Sequence, residues 1–305
     1  MRFPLYIAKR YLFTKSSNNA INIITIIAAI GVFAGAFSLF IVLSGFSGLK
    51  DFSLSFSNEF DPDLKILPAE GKIIDFSAEE AGAIKEIQGV QNYSKIIEER
   101  VFLEFRGKNH TAWIKGVDEN YQRVTQIDSA LMHGSWLTSS EAQVVVGNGI
   151  SRRLSLSIFN YNTLLSLMVL KPGKGQVLNP TDAFTQRKVI VSGIYSVNEE
   201  LDDKYVFTNL GFAKDFLDLE EDQISAIEIK LTPEANVKAV TNQLQQIFGN
   251  RVQIKNRAQL NETLYKMLNT ENLAVYLIFT LVIIIALFNV VGSIKIGRAS
   301  CRERV

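Results

Sequence analysis

Two uninterrupted apolar runs divide the chain. Residues 16–49 hold no charged side chain and neither do residues 272–294, whereas polar and charged positions recur throughout the stretch between them. A helix rises about 1.5 Å per residue, so about 20 residues cross a hydrocarbon core. The runs 20–43 and 273–295, the second closing on Lys295, meet that length and predict two membrane spans. A buried helix of a soluble core seldom runs so far without a charge.

Helical periodicity continues beyond both runs. Leu49, Phe52, Phe56 and Phe60 share one face after the first, and Leu260, Leu264, Met267 and Leu268 share one before the second. The segments 44–60 and 257–272 therefore read as amphipathic stalks, the latter opened by Asn256 with Gln259 three residues on, an N-cap spacing. Residues 1–19 read as a cytoplasmic interfacial helix, with Pro4 in its first turn, Phe3, Ile7 and Tyr11 along one side, and Arg2 and Lys9 on another.

Between the stalks the pattern is mixed. DLKILP alternates like a strand, SAEEAGAIKEIQGV is helical, and YSKIIEERVFLEFRGKNHTAWIKGV predicts a hairpin turning at Gly107-Lys108-Asn109. AQVVVGNGISRRLSL and KYVFTNLGFAKDFLDL each read as a strand running into a helix. TLLSLMVLKPG and QRKVIVSGIYSV read as strands joined by a Pro- and Gly-rich loop. ISAIEIKLTPEANVKAVTNQLQQIFGNRVQIK reads as β-α-β with Pro233 early in its helix. A first β-α-β near residues 63–105 and a last near 224–255 predict an α+β domain over 61–256, interrupted by an inserted subdomain near 120–215. The fold class is thus a membrane protein, α-helical spans flanking an α+β extracytoplasmic domain.

Charge orients this layout. Arg2, Lys9, Arg10 and Lys15 precede the first span, and only Lys50 lies close behind it, so the positive-inside rule puts both termini in the cytoplasm and residues 44–272 outside. Ala34-Gly35-Ala36 has the form of a signal cleavage site, but the apolar run continues past it, which favours a retained anchor. No cysteine precedes Cys301, which removes disulfides, thiol catalysis and a lipid-anchoring cysteine from the outer part.

Catalytic chemistry is not legible. The Gly-Lys pairs continue with Ile73, Asn109 and Gly175 rather than Ser or Thr, so none forms a P-loop. Arg152 takes the place of the third glycine after Gly147 and Gly149 in a dinucleotide loop, and SGFSG around Ser47 lacks the spacing of a nucleophile elbow. His110 and His133 lack metal-ligand spacing, and the acidic NEELDD reads as a solvated connection. No cofactor and no nucleic acid is expected. Asn22, Thr25, Ser38, Asn289 and Ser293 are uncharged and suit helix–helix hydrogen bonds rather than an ion relay.

The segments YIAKRYLFTK, LSGFSGLKDF, VVVGNGISRRLSL, VSGIYSVNEELDDKYVFTNLGFAKDFL and LYKMLNTENLAVYLIFTLVIIIALFNVVGSI, in this order, resemble the LolC/LolE group of lipoprotein-releasing ABC permeases, within the wider FtsX and MacB-like permeases. The resemblance implies a bipartite periplasmic domain, a separate cytoplasmic ATPase subunit, a second permease subunit, a lipoprotein cargo, a periplasmic lipoprotein carrier and contact with membrane lipids in the bacterial inner membrane. It implies no enzymatic activity in this chain. It further implies a V-shaped cavity entered by acyl chains from the outer leaflet, with stalks that transmit motion.

On that reading, Phe37, Phe40, Ile41, Leu43, Val275, Tyr276 and Ile278 line the cargo cavity, and the loop 171–187 docks the carrier through Lys171, Pro172, Pro180, Phe184 and Arg187. A MacB-like exporter, an FtsX-like regulator of cell-wall hydrolases and a membrane-anchored binding module are the alternatives. The resembled family continues with a cytoplasmic segment and two further spans. The closing IGRASCRERV back-translates to a run resembling a sequencing adapter, so residues 296–305 are expected to be an artefact on a truncated gene, and such a chain is expected not to transport.

Overall fold

The computed structural model of the chain describes residues 3, 6, 10, 19–138, 142–171 and 183–302. It divides into two units, one of residues 1–53 and 263–305, the other of residues 54–262.

The first unit is helical. Helix α1, Asn19–Phe60, begins in it, and the last helix of the chain, Glu262–Arg302, supplies the rest. Within these helices Ala29–Leu49 and Tyr265–Phe288 are long and apolar enough to cross a membrane. They overlap the expected spans. The two helices meet where Gly35 leaves room for Val282, whose Cγ1 lies 3.6 Å from where a Cβ would stand. Small residues permit such approach between helices. Most large side chains here, Phe33, Phe40 and Phe288 among them, are exposed. Of the expected interfacial helix only Phe3, Tyr6 and Arg10 are described, all helical and exposed.

The second unit is α+β. In chain order it holds β1 Leu64–Pro68, β2 Ile74–Asp75, α2 Ala78–Glu86, β3 Val90–Phe105, β4 Lys108–Val117, α3 Tyr121–Val124, β5 Leu131–Gly134, β6 Gln143–Gly147 and α4 Asn148–Leu154. There follow β7 Leu165–Leu170, β8 Phe184–Tyr195, α5 Glu199–Lys204, β9 Tyr205–Asn209, α6 Leu210–Leu217, β10 Gln223–Ile224 and β11 Ala226–Leu231. The unit closes with α7 Val237–Phe248, β12 Val252–Asn256 and α8 Arg257–Leu260; α9, Glu262–Arg302, is the last helix named above.

Two sub-architectures share one strand. The strands β12-β1-β11-β3 form a layer in which β1-α2-β3 and β11-α7-β12 are interleaved split β-α-β units. Alternation turns Leu64, Ile66, Ile227 and Ile229 toward α2 and α7, where they pack with Ile84, Leu244 and Phe248. A capping box of Ser77 and Glu80 starts α2, and Asn236 caps α7 by accepting from the amides of Lys238 and Ala239. That cap starts the helix after Pro233, so Pro233 lies in the preceding turn rather than early in the helix as expected.

The other sub-architecture is a barrel. The pairings run β3-β4-β9-β6-β8, and β7 pairs with both β8 and β3, which closes the ring. Val101, Leu103, Ile114, Val144, Val146, Leu167, Val189 and Val206 fill its interior. The β3–β4 hairpin turns at Arg106 and Gly107, with φ of 50° and 77°. Two left-handed residues match the twist of the strands. The turn therefore sits one residue before the expected position, and Lys108 already belongs to β4.

Outside the barrel a third cluster joins Ile96, Val117, Tyr121, Val145, Tyr195 and Phe207, with Phe60, Leu67 and Trp136 packed against it. The NEELDD segment is not a solvated connection. It forms α5, where buried Asp202 accepts from Ser196 Oγ at 2.7 Å and from the Val197 amide at 2.8 Å.

Candidate functional site

In the first unit, Phe37, Phe40, Ile41, Leu43, Tyr276 and Ile278 are exposed, and Val275 is buried. Leu49, Phe52 and Met267 of the stalk segments are exposed too. The side chains of Phe56, Leu264, Leu268 and Asn289 lie outside the described ones. Contiguous exposed apolar surface of this extent marks contact with lipid, a partner chain or an apolar ligand.

Of the residues expected to dock the carrier, Lys171, Phe184 and Arg187 lie at the β7–β8 hairpin of the barrel. Pro172 and Pro180 fall in 172–182, outside the described residues. Lys171 and Arg187 are exposed where β7 and β8 meet, and the Lys171 amide donates to the Ala183 carbonyl at 2.8 Å. Phe184 pairs with Leu170 across the hairpin and Arg187 with Leu167, so these two point to opposite faces of β8. Phe184 stands edge-on to Phe102, their ring centroids 6.1 Å apart. It is thus half-buried on the outer barrel face, in a strip with exposed Leu170, Phe102 and Trp113.

Beside Trp113 opens a cleft of about 650 Å³ lined by Arg100, Thr111, Glu199, Glu200, Asp203 and Lys204. Asp203 is held below the usual carboxylate range by its hydrogen bonds from Arg153, and its carbonyl lies 2.8 Å from His110 Nε2. His110 is consumed structurally here. Among the described residues no group of three or more His, Cys, Asp or Glu is placed to hold a metal ion.

The sequence reading missed a buried cluster of charge. On the outer sheet face Lys65 of β1, Glu228 of β11, Glu98 of β3 and Lys115 of β4 form a ring. Lys65 Nζ lies 2.9 Å from Glu98 Oε1 and 3.1 Å from Glu228 Oε1. Lys115 Nζ lies 2.8 Å from Glu228 Oε1 and 3.5 Å from Glu98 Oε1. Tyr121 and Tyr205 rings face Lys115 Nζ at 4.9 and 5.6 Å.

Burial alone would push the Glu98 carboxyl up, but the ammonium groups of Lys65 and Lys115 and their hydrogen bonds hold it at about 2. Burial opposes the charge of both lysines, and the carboxylates override it, raising both above the ordinary lysine value. Burial also pushes Tyr121 to about 12. Glu98, Lys65 and Lys115 are therefore charged in the folded chain. The lysines stay protonated and are thus poor bases or nucleophiles, so the ring is not shaped for catalysis.

Against known proteins, a family model described as the MacB-like periplasmic core domain matches residues 25–247. The lipoprotein-releasing system transmembrane protein LolE of Haemophilus influenzae is 23% identical over 299 residues, spanning 96% of this chain and 70% of its own. The protein LolC of the same name in Neisseria meningitidis serogroup B is 21% identical over 305 residues, covering 95% of this chain and 69% of its own. Among solved structures, the periplasmic region of MacB from Actinobacillus actinomycetemcomitans aligns at 17% identity and a TM-score of 0.47, covering 66% of this chain and 92% of that one.

Proposed function

Starting from a chain that belongs to the family of the MacB-like periplasmic core domain, we propose that it is the permease subunit of an ABC transporter that extracts lipoproteins from the bacterial cytoplasmic membrane. The observation that carries this reading is the similarity to LolE and LolC along 95% or more of the chain, across both apolar helices and the whole α+β unit. In this reading the N-terminus is cytoplasmic, the two apolar helices span the membrane, and residues 44–272 are periplasmic. ATP is hydrolysed by a separate cytoplasmic subunit, and a second permease chain, identical or paralogous, completes the cavity.

The exposed faces carrying Phe37, Phe40, Ile41, Leu43, Tyr276 and Ile278 suit acyl chains, since each methylene moved out of water is worth about 0.8 kcal/mol. Val275, buried within its own unit, contributes to the wall from behind. The β7–β8 hairpin captures the periplasmic carrier with Lys171, Pro172, Pro180, Phe184 and Arg187. Stiff helices pass motion from the ATPase to that hairpin.

Two measurements test this. Membranes expressing the tagged chain with its neighbouring genes should yield an ATPase on purification, and acylated lipoprotein, unlike its unacylated form, should stimulate ATP hydrolysis. Absence of an ATPase partner or equal response to both forms would overturn the reading. Phe184→Ala should weaken capture of the carrier in a pull-down at unchanged membrane insertion; undiminished capture would remove the hairpin from the docking site.

A further inference from the structure

The buried ring of charge lies at the strand that the two sub-architectures of the second unit share, and that strand is unsupported there along one edge. The first part of β3 pairs with β11 as far as Ile96 opposite Ala226. Pairing with β7 resumes only at Phe102 opposite Met168. Between them side chains replace the missing strand. The Glu98 amide donates to Ser225 Oγ at 3.1 Å, and the Arg100 amide to Glu99 Oε1 at 3.0 Å. A stretch so held satisfies its backbone but is braced against bending by a strand on one side only, β4.

The ring spans this weak point. Lys115 of β4 reaches over β3 to Glu228 of β11, and Lys65 of β1 reaches over β11 to Glu98 of β3. Each glutamate presents one oxygen to two ammonium groups, so the charges alternate around a closed circuit. We propose that this circuit is a lock on β3 that holds the split β-α-β layer and the barrel as one rigid body, so that a displacement of either is passed to the other.

Physical cost supports a role beyond stability. Glu228 is 1% exposed, and its Oε2 finds no hydrogen-bond partner among the described residues. Apolar side chains of similar volume would hold such a position at least as well, because the desolvation of buried ions offsets their attraction. What alternating charge adds is register: a one-residue slip of any of the four strands would turn its member of the ring to the opposite face. The inference rests on the geometry of the second unit and not on the cargo or partners proposed above.

The test is a distance distribution measured by pulsed electron spin resonance on the full chain in detergent, with Cys301→Ser and spin labels at Glu86→Cys on α2 and Asn109→Cys in the barrel hairpin. With the ring intact the distribution should be narrow. Glu228→Gln, and separately Glu98→Gln, should broaden it about twofold while circular dichroism stays unchanged, the halves then moving about β3 as packed bodies do about a hinge. Glu98 is the milder site because its side chain keeps some access to solvent. Lys72→Gln, which breaks the exposed Lys72–Glu99 pair of 2.9 Å, should leave the width unchanged. Folded ring variants with the original width would overturn the lock, as would equal broadening by Lys72→Gln. Loss of all folded protein in both ring variants would also overturn it, since the charges would then support the fold as a whole rather than the joint.

Discussion

Removing the Asp63 carboxylate should destabilise the second unit in a graded way. Asp63 sits between the end of α1 and the start of β1. Its Oδ2 accepts from the amide of buried Leu231 at 2.8 Å, and its Oδ1 from Arg257 Nη2 at 2.7 Å. Arg257 also donates to the Asp61 carbonyl at 3.3 Å, while the Asp61 carboxylate accepts from Asn261 Nδ2 at 2.5 Å. One acid thus ties β11 to the first turn of α8. Asp63→Ala strands the Leu231 amide, at about 1–3 kcal/mol, and removes a charged hydrogen bond worth about 1.5–3 kcal/mol. The Asp63 and Arg257 side chains are 23% and 20% exposed, so solvent screening takes the second contribution to its lower end. The sum is about 3 kcal/mol. A unit of this size loses about 2–4 °C of Tm per kcal/mol, which gives a fall of about 6–12 °C. Asp63→Asn keeps an oxygen for the Leu231 amide but turns its NH2 toward Arg257, so it loses the charged hydrogen bond of about 1.5 kcal/mol and a fall of about 3–6 °C is expected. The readout is specific, because Trp113 and Trp136, the only tryptophans in the chain, both lie in this unit. A thermal melt followed by tryptophan fluorescence therefore reports its unfolding. Equal shifts for the two variants, or no shift for Asp63→Ala, would refute the assignment of a separate share to the amide bond.

Acid should separate the ring from ordinary surface charge. The Glu98 carboxyl is depressed from its usual 4.5 to about 2, so its contribution is complete above the unfolded value and is lost as pH falls through the folded one. Urea unfolding of the intact chain should weaken steeply between those values, and Glu98→Gln should flatten that fall; parallel profiles would exclude Glu98 as its source. Gly149→Ala should destabilise the barrel by about 1–3 kcal/mol through overpacking, because an added Cβ would stand 1.9 Å from Asp203 Oδ1 and 3.2 Å from the Asp202 carbonyl carbon. An unchanged urea midpoint would show that α5 yields freely.

Local signals were legible, and their readings hold where one short segment decides the outcome. Alternation in DLKILP suffices to put Leu64 and Ile66 on one face, and Asn256 with Gln259 does form the capping box that opens α8. Where two local signals compete the weaker one misleads: Pro233 suits a first helical turn, but the Asn236 side chain captures two amides and starts α7 after it. What no segment states is its neighbours. Glu98 and Arg100 occupy equivalent polar positions on one face of β3, and the alternation treats them alike. One is enclosed by Lys65, Lys115 and Glu228 from three other strands, and the other lines an open cleft. The same ambiguity covers Phe184, which reads as a free apolar anchor until Phe102, more than eighty positions earlier, is brought beside it by the β3–β7–β8 pairing. In each case a charged or aromatic residue in a half-polar strand takes its character from the strand order, and that order is set by which apolar faces must meet across the whole unit. The residues of the proposed lock are therefore the ones least visible in sequence, because their partners are supplied by strands that only the closed barrel and the interleaved layer bring together.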